Sequence, residues 1–99
     1  LKRFDIKYNE LSLQIYIWHP GSYIKWHDDG DYKLGFTLYL NEYWNEDFGG
    51  IFLYKKENNI FGFKPEHNTI IFVKDKLEHS VSMTTPDAPL RITLQGFCQ

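Results

Sequence analysis

Short runs of apolar and aromatic residues, separated by residues that favour turns, make up most of this chain. No stretch keeps apolar residues at a helical period for long enough to predict a helix. The runs are rich in β-branched and aromatic residues and are bounded by Gly, Pro, Asn and Asp, which is typical of strands. The pattern predicts about eight strands, at 11–18, 23–27, 33–41, 50–54, 60–63, 69–73, 79–83 and 90–97. We therefore expect an all-β chain with little or no helix, and this strand length and spacing favour a jelly roll.

Two of these strands have one apolar face and one mixed face, because side chains alternate across a strand. The mixed face carries Thr37 and Tyr39 in LGFTLYLN, and Arg91, Thr93 and Gln95 in RITLQGF. In one interpretation the apolar faces form the core and the mixed faces meet water. In the other, the mixed faces line a barrel with a polar mouth that holds a ligand. Alternation alone leaves both open.

The composition provides enough apolar residues for a core and argues against some partners. The chain has 99 residues, of which 42% are hydrophobic, and its net charge is −2. We expect no nucleic-acid partner, because there is no broad basic surface to neutralise phosphates. We also expect no membrane insertion, because no run approaches the roughly 20 apolar residues of a spanning helix. Cys98 is the single cysteine and has no internal disulfide partner, which favours a reducing, cytoplasmic location.

Nothing in the sequence divides the chain into parts. It contains no linker, low-complexity tract or internal repeat, and its length suits one domain. We therefore expect residues 1–99 to form a single domain. Because the chain starts at Leu1 and little precedes the first predicted strand, we expect a minimal or trimmed form of that domain.

The four histidines are candidates for metal binding. His19 and His67 fall in predicted turns, where exposure to solvent is the default. His27 ends a predicted strand, and alternation puts the side chain of Asp29 on the same side as that of His27. His79 begins another predicted strand, 50 residues beyond Asp29, and offers a third ligand.

Two imidazoles and one carboxylate can hold a metal ion and leave coordination positions open. This is the facial triad of non-haem Fe(II) oxygenases. Three protein ligands and a water molecule also suit a catalytic zinc ion. A His-x-Asp pair with a distant histidine also arises by chance, and the spacing alone does not choose the metal.

Arg91 lies 12 residues beyond His79, on a strand whose mixed face would look toward the same interior. A guanidinium inside a barrel needs an anion, and its planar fork matches a carboxylate. An ordinary surface arginine, or one paired with an acid of the protein, agrees equally well with the alternation.

Several motifs follow one another in a specific order along the chain. They are Trp18-x-x-Gly21-x-x-Ile24-x-x-His27-x-Asp29, then LGFTLYLNEYW, Gly49-Gly50, NTIIFV, His79 and Arg91-x-Thr93-Leu94. This order resembles the 2-oxoglutarate- and Fe(II)-dependent dioxygenases of the prolyl 4-hydroxylase type, and the resemblance extends from about Leu11 to Phe97. It implies a double-stranded β-helix, the cupin-like form of the jelly roll.

The resemblance also assigns roles to individual residues. It implies that His27, Asp29 and His79 bind Fe(II), and that Arg91 forms a salt bridge with the distal carboxylate of 2-oxoglutarate. Tyr39 would donate a hydrogen bond to the same carboxylate.

Three further residues are candidates for contact with the co-substrate. Thr93 and Gln95 share the face of Arg91, although exposure at the surface is equally consistent with their position. The family often has tyrosine where this chain has Trp18, so that the usual phenol contact is missing here.

The reaction that the resemblance implies is hydroxylation of an unactivated C–H bond, with decarboxylation of 2-oxoglutarate to succinate and CO2. Fe(II), 2-oxoglutarate and O2 would be required, with ascorbate as an optional addition. The expected substrate is a prolyl residue in a peptide or protein. Other side chains, free amino acids and small metabolites stay open as substrates.

Two other classes of function remain. A jelly-roll module could bind the metal and the ligand without turnover. A zinc-dependent hydrolase is disfavoured, because no obvious general base lies near the triad and Arg91 and Tyr39 would have no role. The oligomeric state is not predicted.

Overall fold

Nine strands and one short helix make up the part of the chain that the computed structural model describes, residues 2–8, 11–30 and 32–98. Residues 1, 9, 10, 31 and 99 of the predicted domain lie outside this description. The strands are β1 (Lys2–Tyr8), β2 (Leu11–Trp18), β3 (Ile24–His27), β4 (Leu34–Tyr39), β5 (Phe52–Lys56), β6 (Asn59–Phe63), β7 (Ile70–Lys74), β8 (His79–Val81) and β9 (Arg91–Cys98).

All eight predicted strands are present, and each end agrees with its prediction within two residues. Strand β1 was not predicted, so the described strands number nine rather than about eight. Its sequence, KRFDIKY, alternates apolar and charged residues, and this alternation is a strand signal.

The strands form two antiparallel sheets. The larger sheet has the order β1-β2-β9-β4-β7, and the smaller has the order β3-β8-β5-β6. Strand β9 lies in the centre of the larger sheet, with Trp18 of β2 opposite Arg91 and Tyr39 of β4 opposite Thr93. Two antiparallel sheets that share the strands in this way are a jelly roll, so the predicted fold class is confirmed.

The mixed face of the larger sheet points into the molecule. Thr37 and Gln95 line a pocket together with His79 and Phe52 of the smaller sheet, so that this face looks across at the other sheet. The most deeply buried residues of the same face are Trp18, Tyr39, Arg91 and Thr93. The mixed face therefore lines the interior of the barrel, and the interpretation in which the mixed faces meet water is wrong for this sheet.

The apolar face of the larger sheet points outward. Phe36 lies across from Gly96 on this face, and a Cβ atom at Gly96 would collide with the Phe36 ring. On the neighbouring strand, Phe72 and Ile70 are exposed. The larger sheet thus has its polar side chains inside and many of its apolar ones outside.

Helical structure in the described residues is limited to one 3-10 turn, Glu46–Phe48. Asn45 caps it by accepting a hydrogen bond from the Asp47 amide. The Trp44 indole before it is buried and donates to Gly49 O at 2.8 Å, which ties this loop to the barrel. No helix in the described ranges combines the length and apolar character needed to cross a membrane.

Candidate metal centre and anion pocket

The pairing of β3 with β8 brings two histidines together. His27 and His79 are register partners in this antiparallel pair, and their ring centroids are 4.3 Å apart. Directly opposite residues on paired strands project to the same face of a sheet. Two imidazoles that are 52 residues apart in the sequence therefore lie side by side.

The turn after β3 adds a carboxylate to this pair. Asp29 Oδ1 lies 3.7 Å from Nε2 of His27 and 3.3 Å from Nε2 of His79. The preceding Asp28 side chain instead accepts a hydrogen bond from the Gly30 amide within the turn, at 2.8 Å. The three ligand atoms lie within 4.8 Å of one another, a spacing that suits a shared metal ion.

Gly35 on β4 provides the space for this carboxylate. A Cβ atom at Gly35 would lie 2.9 Å from Asp29 Oδ2, closer than a side chain tolerates. The absence of a side chain at this position therefore allows Asp29 to lie against the larger sheet.

The peptide backbone orients both imidazoles. Nδ1 of His27 lies 2.8 Å from Lys25 O, and Nδ1 of His79 lies 2.8 Å from Leu77 O. A carbonyl oxygen only accepts hydrogen bonds, so each Nδ1 carries the proton in the neutral ring. The Nε2 lone pairs, which face Asp29, are then free to bind a metal ion.

The local electrostatics of the trio match those of a cation site. Burial acts to lower the pKa of His79, but hydrogen bonds to Asp29 and Leu77 and the charges of Asp29 and Asp28 together raise it above its ordinary value. Positive charge is therefore favoured beside the carboxylate. The His79 side chain is only 8% exposed and that of His27 is 38% exposed, so one flank of the trio is open to solvent.

A second polar group, Arg91, lies on the inner face of β9. Its residue is 1% exposed, its Nε donates to Gly50 O at 3.2 Å, and its Nη1 has no hydrogen-bond partner. Among the described residues, no carboxylate lies within 4.0 Å of the guanidinium. Burial lowers the pKa of Arg91 to about 10, so the side chain is still charged at neutral pH.

Tyr39 lies beside this guanidinium. The Arg91 Cζ atom is 5.2 Å from the centre of the Tyr39 ring, and among the described residues the buried Tyr39 hydroxyl has no acceptor for its proton. Burial raises the pKa of Tyr39, and the charge of Arg91 and a hydrogen bond with its side chain oppose this rise. A buried cation and a neutral hydroxyl donor, both without an acceptor, form a receptor for an anion.

Trp18 and Thr93 support the guanidinium from the other side. The Arg91 Cζ atom lies 4.5 Å above the Trp18 ring, a cation–π contact. The indole Nε1 donates to Thr93 Oγ1 at 3.1 Å, so its only polar group is already used. The described geometry thus places Trp18 in contact with both Arg91 and Thr93.

Gln95 connects the two groups of residues along the inner face of β9. It lines the pocket that contains His27, Asp29 and His79, and its Nε2 lies 3.4 Å from Thr93 Oγ1. The cavity volume of this pocket is about 50 Å³. Arg91 does not line this pocket but lies further along the same face, beyond Gln95 and Thr93.

Sequence reasoning missed several residues of this interior. Gln14 on β2 lies opposite Gln95, and its buried Oε1 has no hydrogen-bond partner. Gly50 has φ of +65°, and a Cβ atom there would lie 2.9 Å from Arg91 Cδ, so this glycine makes room for the guanidinium. Alternation could have found Gln14, but the role of Gly50 depends on tertiary contact.

The comparisons with known proteins can be set beside this geometry. Residues 11–99 match a sequence family described as the 2OG-Fe(II) oxygenase superfamily. Among curated proteins, none gives a significant match.

Solved structures with the same fold include three proteins of related description. A prolyl-4-hydroxylase from Pseudomonas putida is 20% identical with a TM-score of 0.80, and the match covers 90% of this chain and 51% of that one. An oxidoreductase of the 2OG-Fe(II) oxygenase family from Burkholderia pseudomallei is 23% identical with a TM-score of 0.74. The match covers 97% of this chain and 44% of that one. The third is a prolyl hydroxylase from Trichoplax adhaerens in complex with a peptide fragment of the hypoxia inducible factor oxygen degradation domain. It is 20% identical with a TM-score of 0.71, and the match covers 89% of this chain and 42% of that one.

These likenesses support the fold, and this chain spans about half the length of those proteins or less. The family rests on the sequence match, which extends over most of the chain and includes both the His–Asp–His trio and Arg91. The chain belongs to the 2OG-Fe(II) oxygenase superfamily.

Proposed function

We propose that this chain is the catalytic domain of an Fe(II)- and 2-oxoglutarate-dependent dioxygenase that hydroxylates a prolyl residue in a peptide or protein. The observation that carries the proposal is the buried guanidinium of Arg91, whose Nη1 has no hydrogen-bond partner among the described residues, on the same interior as the His–Asp–His trio. A trio of metal ligands alone fits several functions. A trio combined with a receptor for a carboxylate favours a ligand that chelates the metal at one end and is an anion at the other.

The trio fits Fe(II) in both donor type and charge. His27 and His79 offer neutral Nε2 atoms, and Asp29 offers one carboxylate, which is the donor set of non-haem Fe(II) oxygenases. The backbone carbonyls of Lys25 and Leu77 keep the two rings oriented. Three ligands on one side leave coordination positions open toward the pocket.

The anion receptor fits the distal carboxylate of 2-oxoglutarate. Arg91 Nη1 and the Tyr39 hydroxyl are both donors without an acceptor, and both are buried. A carboxylate between them would satisfy the two donors and neutralise a buried charge, which is worth about 1.5–3 kcal/mol per charged hydrogen bond. Trp18 would keep the guanidinium in place by packing against it, and Thr93 would orient Trp18 by accepting its indole hydrogen bond.

When bound, Fe(II) and 2-oxoglutarate supply the oxidising chemistry: O2, 2-oxoglutarate and R–H give R–OH, succinate and CO2. The protein's part is to hold the two ends of the co-substrate at a fixed separation and to orient the substrate at the open side of the trio. Phe52, Val73 and Val81 line the pocket beside His79 and limit the access of water to it. Ascorbate would be an optional reductant that keeps the iron in its ferrous state.

A prolyl substrate is supported by the apolar and aromatic surroundings of the trio. Phe97 lines the pocket, and the exposed Tyr32 ring packs against the Phe97 ring, with the two ring centroids 4.9 Å apart. Flat aromatic rings suit packing against the ring of proline. Two of the solved neighbours are described as prolyl hydroxylases, and one of them is in complex with a peptide. Other side chains, free amino acids and small metabolites are the alternative substrates.

Three further statements belong to the same proposal. We propose residues 1–99 as one catalytic domain and a cytoplasmic location, for which the single cysteine Cys98 is the support. We propose a peptide or protein as the partner, rather than nucleic acid or membrane, because the net charge of −2 provides no attraction to phosphates.

The experiment is mass spectrometry of a peptide library, including proline-rich sequences, incubated with the protein, Fe(II), 2-oxoglutarate and air. The proposal predicts peptides that gain one oxygen atom on proline and the formation of succinate. The His79→Ala variant should give neither product.

Each other outcome points to a different function. Oxygen gained on another residue keeps the oxygenase and replaces the substrate. Binding of 2-oxoglutarate without succinate indicates a module without turnover. Hydrolysis that requires zinc and ignores 2-oxoglutarate indicates a hydrolase and contradicts the proposal.

A further inference from the structure

The loop that follows β4 contributes a side chain that reaches the backbone on both sides of Arg91. Asn41 Nδ2 donates to Leu90 O at 2.7 Å, and Asn41 Oδ1 accepts from the Ile92 amide at 2.7 Å. Asn41 is 49 and 51 residues away from these two partners in the sequence. One amide side chain therefore forms a tertiary contact with the residues directly before and after Arg91.

This contact continues the β4–β9 ladder past the point where β4 ends. The last register pair is Tyr39 with Thr93, and the amide of Leu40 still donates to Ile92 O at 3.1 Å. Beyond Leu40 the backbone is no longer a strand. A side-chain amide has the same donor and acceptor as a peptide group, so Asn41 replaces the next rung of the ladder.

The backbone of Arg91 is consequently held from both sides. Strand β2 pairs with it on one side, where Trp18 is its register partner, and Asn41 holds it on the other. Gly50 O and the Trp18 ring then fix the side chain, which leaves Nη1 directed at no protein acceptor. An arginine fixed in this way loses little side-chain entropy when an anion binds.

We infer that Asn41 is a positioning residue, which sets the backbone of Arg91 for recognition of the distal carboxylate of the co-substrate. The inference rests on the proposed function. Both polar atoms of the Asn41 side chain are bonded to the backbone of Leu90 and Ile92, so it acts through Arg91 rather than by touching a ligand. Loss of both hydrogen bonds should lower the affinity for 2-oxoglutarate by about three- to tenfold, the range expected for modest hydrogen bonds.

The test uses anaerobic calorimetry to compare the affinities of two ligands for the full chain loaded with Mn(II). 2-Oxoglutarate has a distal carboxylate, and pyruvate has the same keto acid end without it. For Asn41→Ala we expect the three- to tenfold loss for 2-oxoglutarate, with the affinities for pyruvate and Mn(II) within about twofold of the original protein. Asn41→Asp should lose at least as much, because it keeps the acceptor for Ile92 but turns a carboxylate toward Leu90 O.

A control variant in a neighbouring loop, between β6 and β7, is His67→Ala. His67 Nδ1 lies 3.1 Å from the backbone oxygen of Asn41, so this change removes a neighbouring contact and leaves both side-chain hydrogen bonds intact. We expect its affinities for all three ligands to be unchanged. A loss in His67→Ala equal to that in Asn41→Ala would indicate that any damage to this region has the same effect, and would overturn the inference.

Two further measurements separate positioning from a general loosening of the fold. In an Arg91→Met background, Asn41→Ala should cause no additional loss of 2-oxoglutarate affinity, and an additive loss would contradict the inference. The amide of Ile92 should exchange with deuterium faster in Asn41→Ala than in the original protein, whether or not a ligand is present.

Failure of this inference differs from failure of the proposed function. If the original protein binds 2-oxoglutarate and Asn41→Ala binds it equally well, only the role of Asn41 is lost. Equal losses for 2-oxoglutarate and pyruvate would likewise overturn the positioning role alone. If the original protein binds Mn(II) but not 2-oxoglutarate, the proposed function fails, and the inference fails with it.

Discussion

The two ends of the polar interior handle charge in different ways. At the metal end, Asp29 lies within 3.7 Å of both imidazoles, and the other nitrogen of each ring contacts a backbone carbonyl. At the anion end, Arg91 and Tyr39 are buried and each has an unpaired polar atom. Protonation of His79, whose pKa is raised beside Asp29, can compensate this carboxylate when no metal is bound, whereas no carboxylate among the described residues compensates Arg91.

This difference indicates which part of the interior carries information about the ligand. Polar groups that satisfy one another are common in stable proteins, so the trio alone says little about what binds beside it. A buried charge without a partner costs several kcal/mol, so it is retained for a reason other than stability. The unpaired guanidinium of Arg91 is therefore the stronger functional signal, and the following predictions test the contrast between the two ends.

The largest effect is expected at the metal end, from His79→Ala. This change removes one of three donors, and we expect affinity for Mn(II) to fall at least about a hundredfold. The measurement is anaerobic calorimetry. His19→Ala is the matched control, because His19 is an exposed histidine outside the trio, and it should bind Mn(II) as the original protein does. Equal losses in both variants would show that the trio is not the metal site.

The next effect is expected at the anion end, from Arg91→Met. Loss of the charged donor should weaken binding of 2-oxoglutarate by about a hundredfold, as for removal of a buried charged hydrogen bond. Affinity for Mn(II) should stay within about twofold, because no atom of Arg91 belongs to the trio. Calorimetry of both ligands checks the result, and a parallel loss of metal binding would contradict the separation of the two ends.

A smaller effect is expected from Tyr39→Phe. The change removes one neutral donor and keeps the ring beside Arg91, so we expect the affinity for 2-oxoglutarate to fall about five- to tenfold. The free energy of unfolding of the ligand-free protein should fall by no more than about 1 kcal/mol, because the hydroxyl has no acceptor and has only Arg91 beside it as a donor. Chemical denaturation checks the second half of the prediction, and a clear loss of stability would mean that the hydroxyl is already satisfied.

The smallest expected effect is on stability, and it tests the contrast between the metal end and the anion end directly. In the ligand-free protein, Arg91→Met should raise the free energy of unfolding by about 1 kcal/mol, because an apolar side chain of similar length replaces an uncompensated buried charge. Asp29→Ala should lower this free energy of unfolding or leave it unchanged, because Asp29 is the carboxylate that lies beside the two imidazoles of the trio. Urea denaturation of the metal-free variants measures both, and a destabilised Arg91→Met variant would show that the anion end is compensated within the protein after all.

The sequence predicted much of this site because the relevant information is local. Strand β2 has the predicted bounds, and the spacing of His27 and Asp29 follows from alternation around the end of β3. Alternation also put Tyr39 on one face with Thr37, and Arg91 on one face with Thr93 and Gln95. These residues are together in the structure because the register of β9 with β4 aligns the two faces.

Strand β1 was missed although its alternating sequence is a local strand signal and it pairs with the adjacent β2. The other missed features depend on contacts between distant parts of the chain, and the pattern left open whether the mixed faces point inward. The hydrogen bonds of Asn41 to the neighbours of Arg91, and the close approach of Gly50 to its side chain, depend on cross-strand register and on the course of two loops. Period-two alternation says which face a residue occupies, but not which residue lies opposite.

The central claim is that one ligand is bound at both ends, chelating the metal held by the trio and pairing with Arg91. The most direct test is anaerobic titration of 2-oxoglutarate into the Fe(II)-loaded protein, followed by visible absorption. We predict a weak charge-transfer band that saturates, with half-saturation shifted to about hundredfold higher concentration in Arg91→Met. Tight Fe(II) binding without such a band, or an identical titration in Arg91→Met, would contradict the claim.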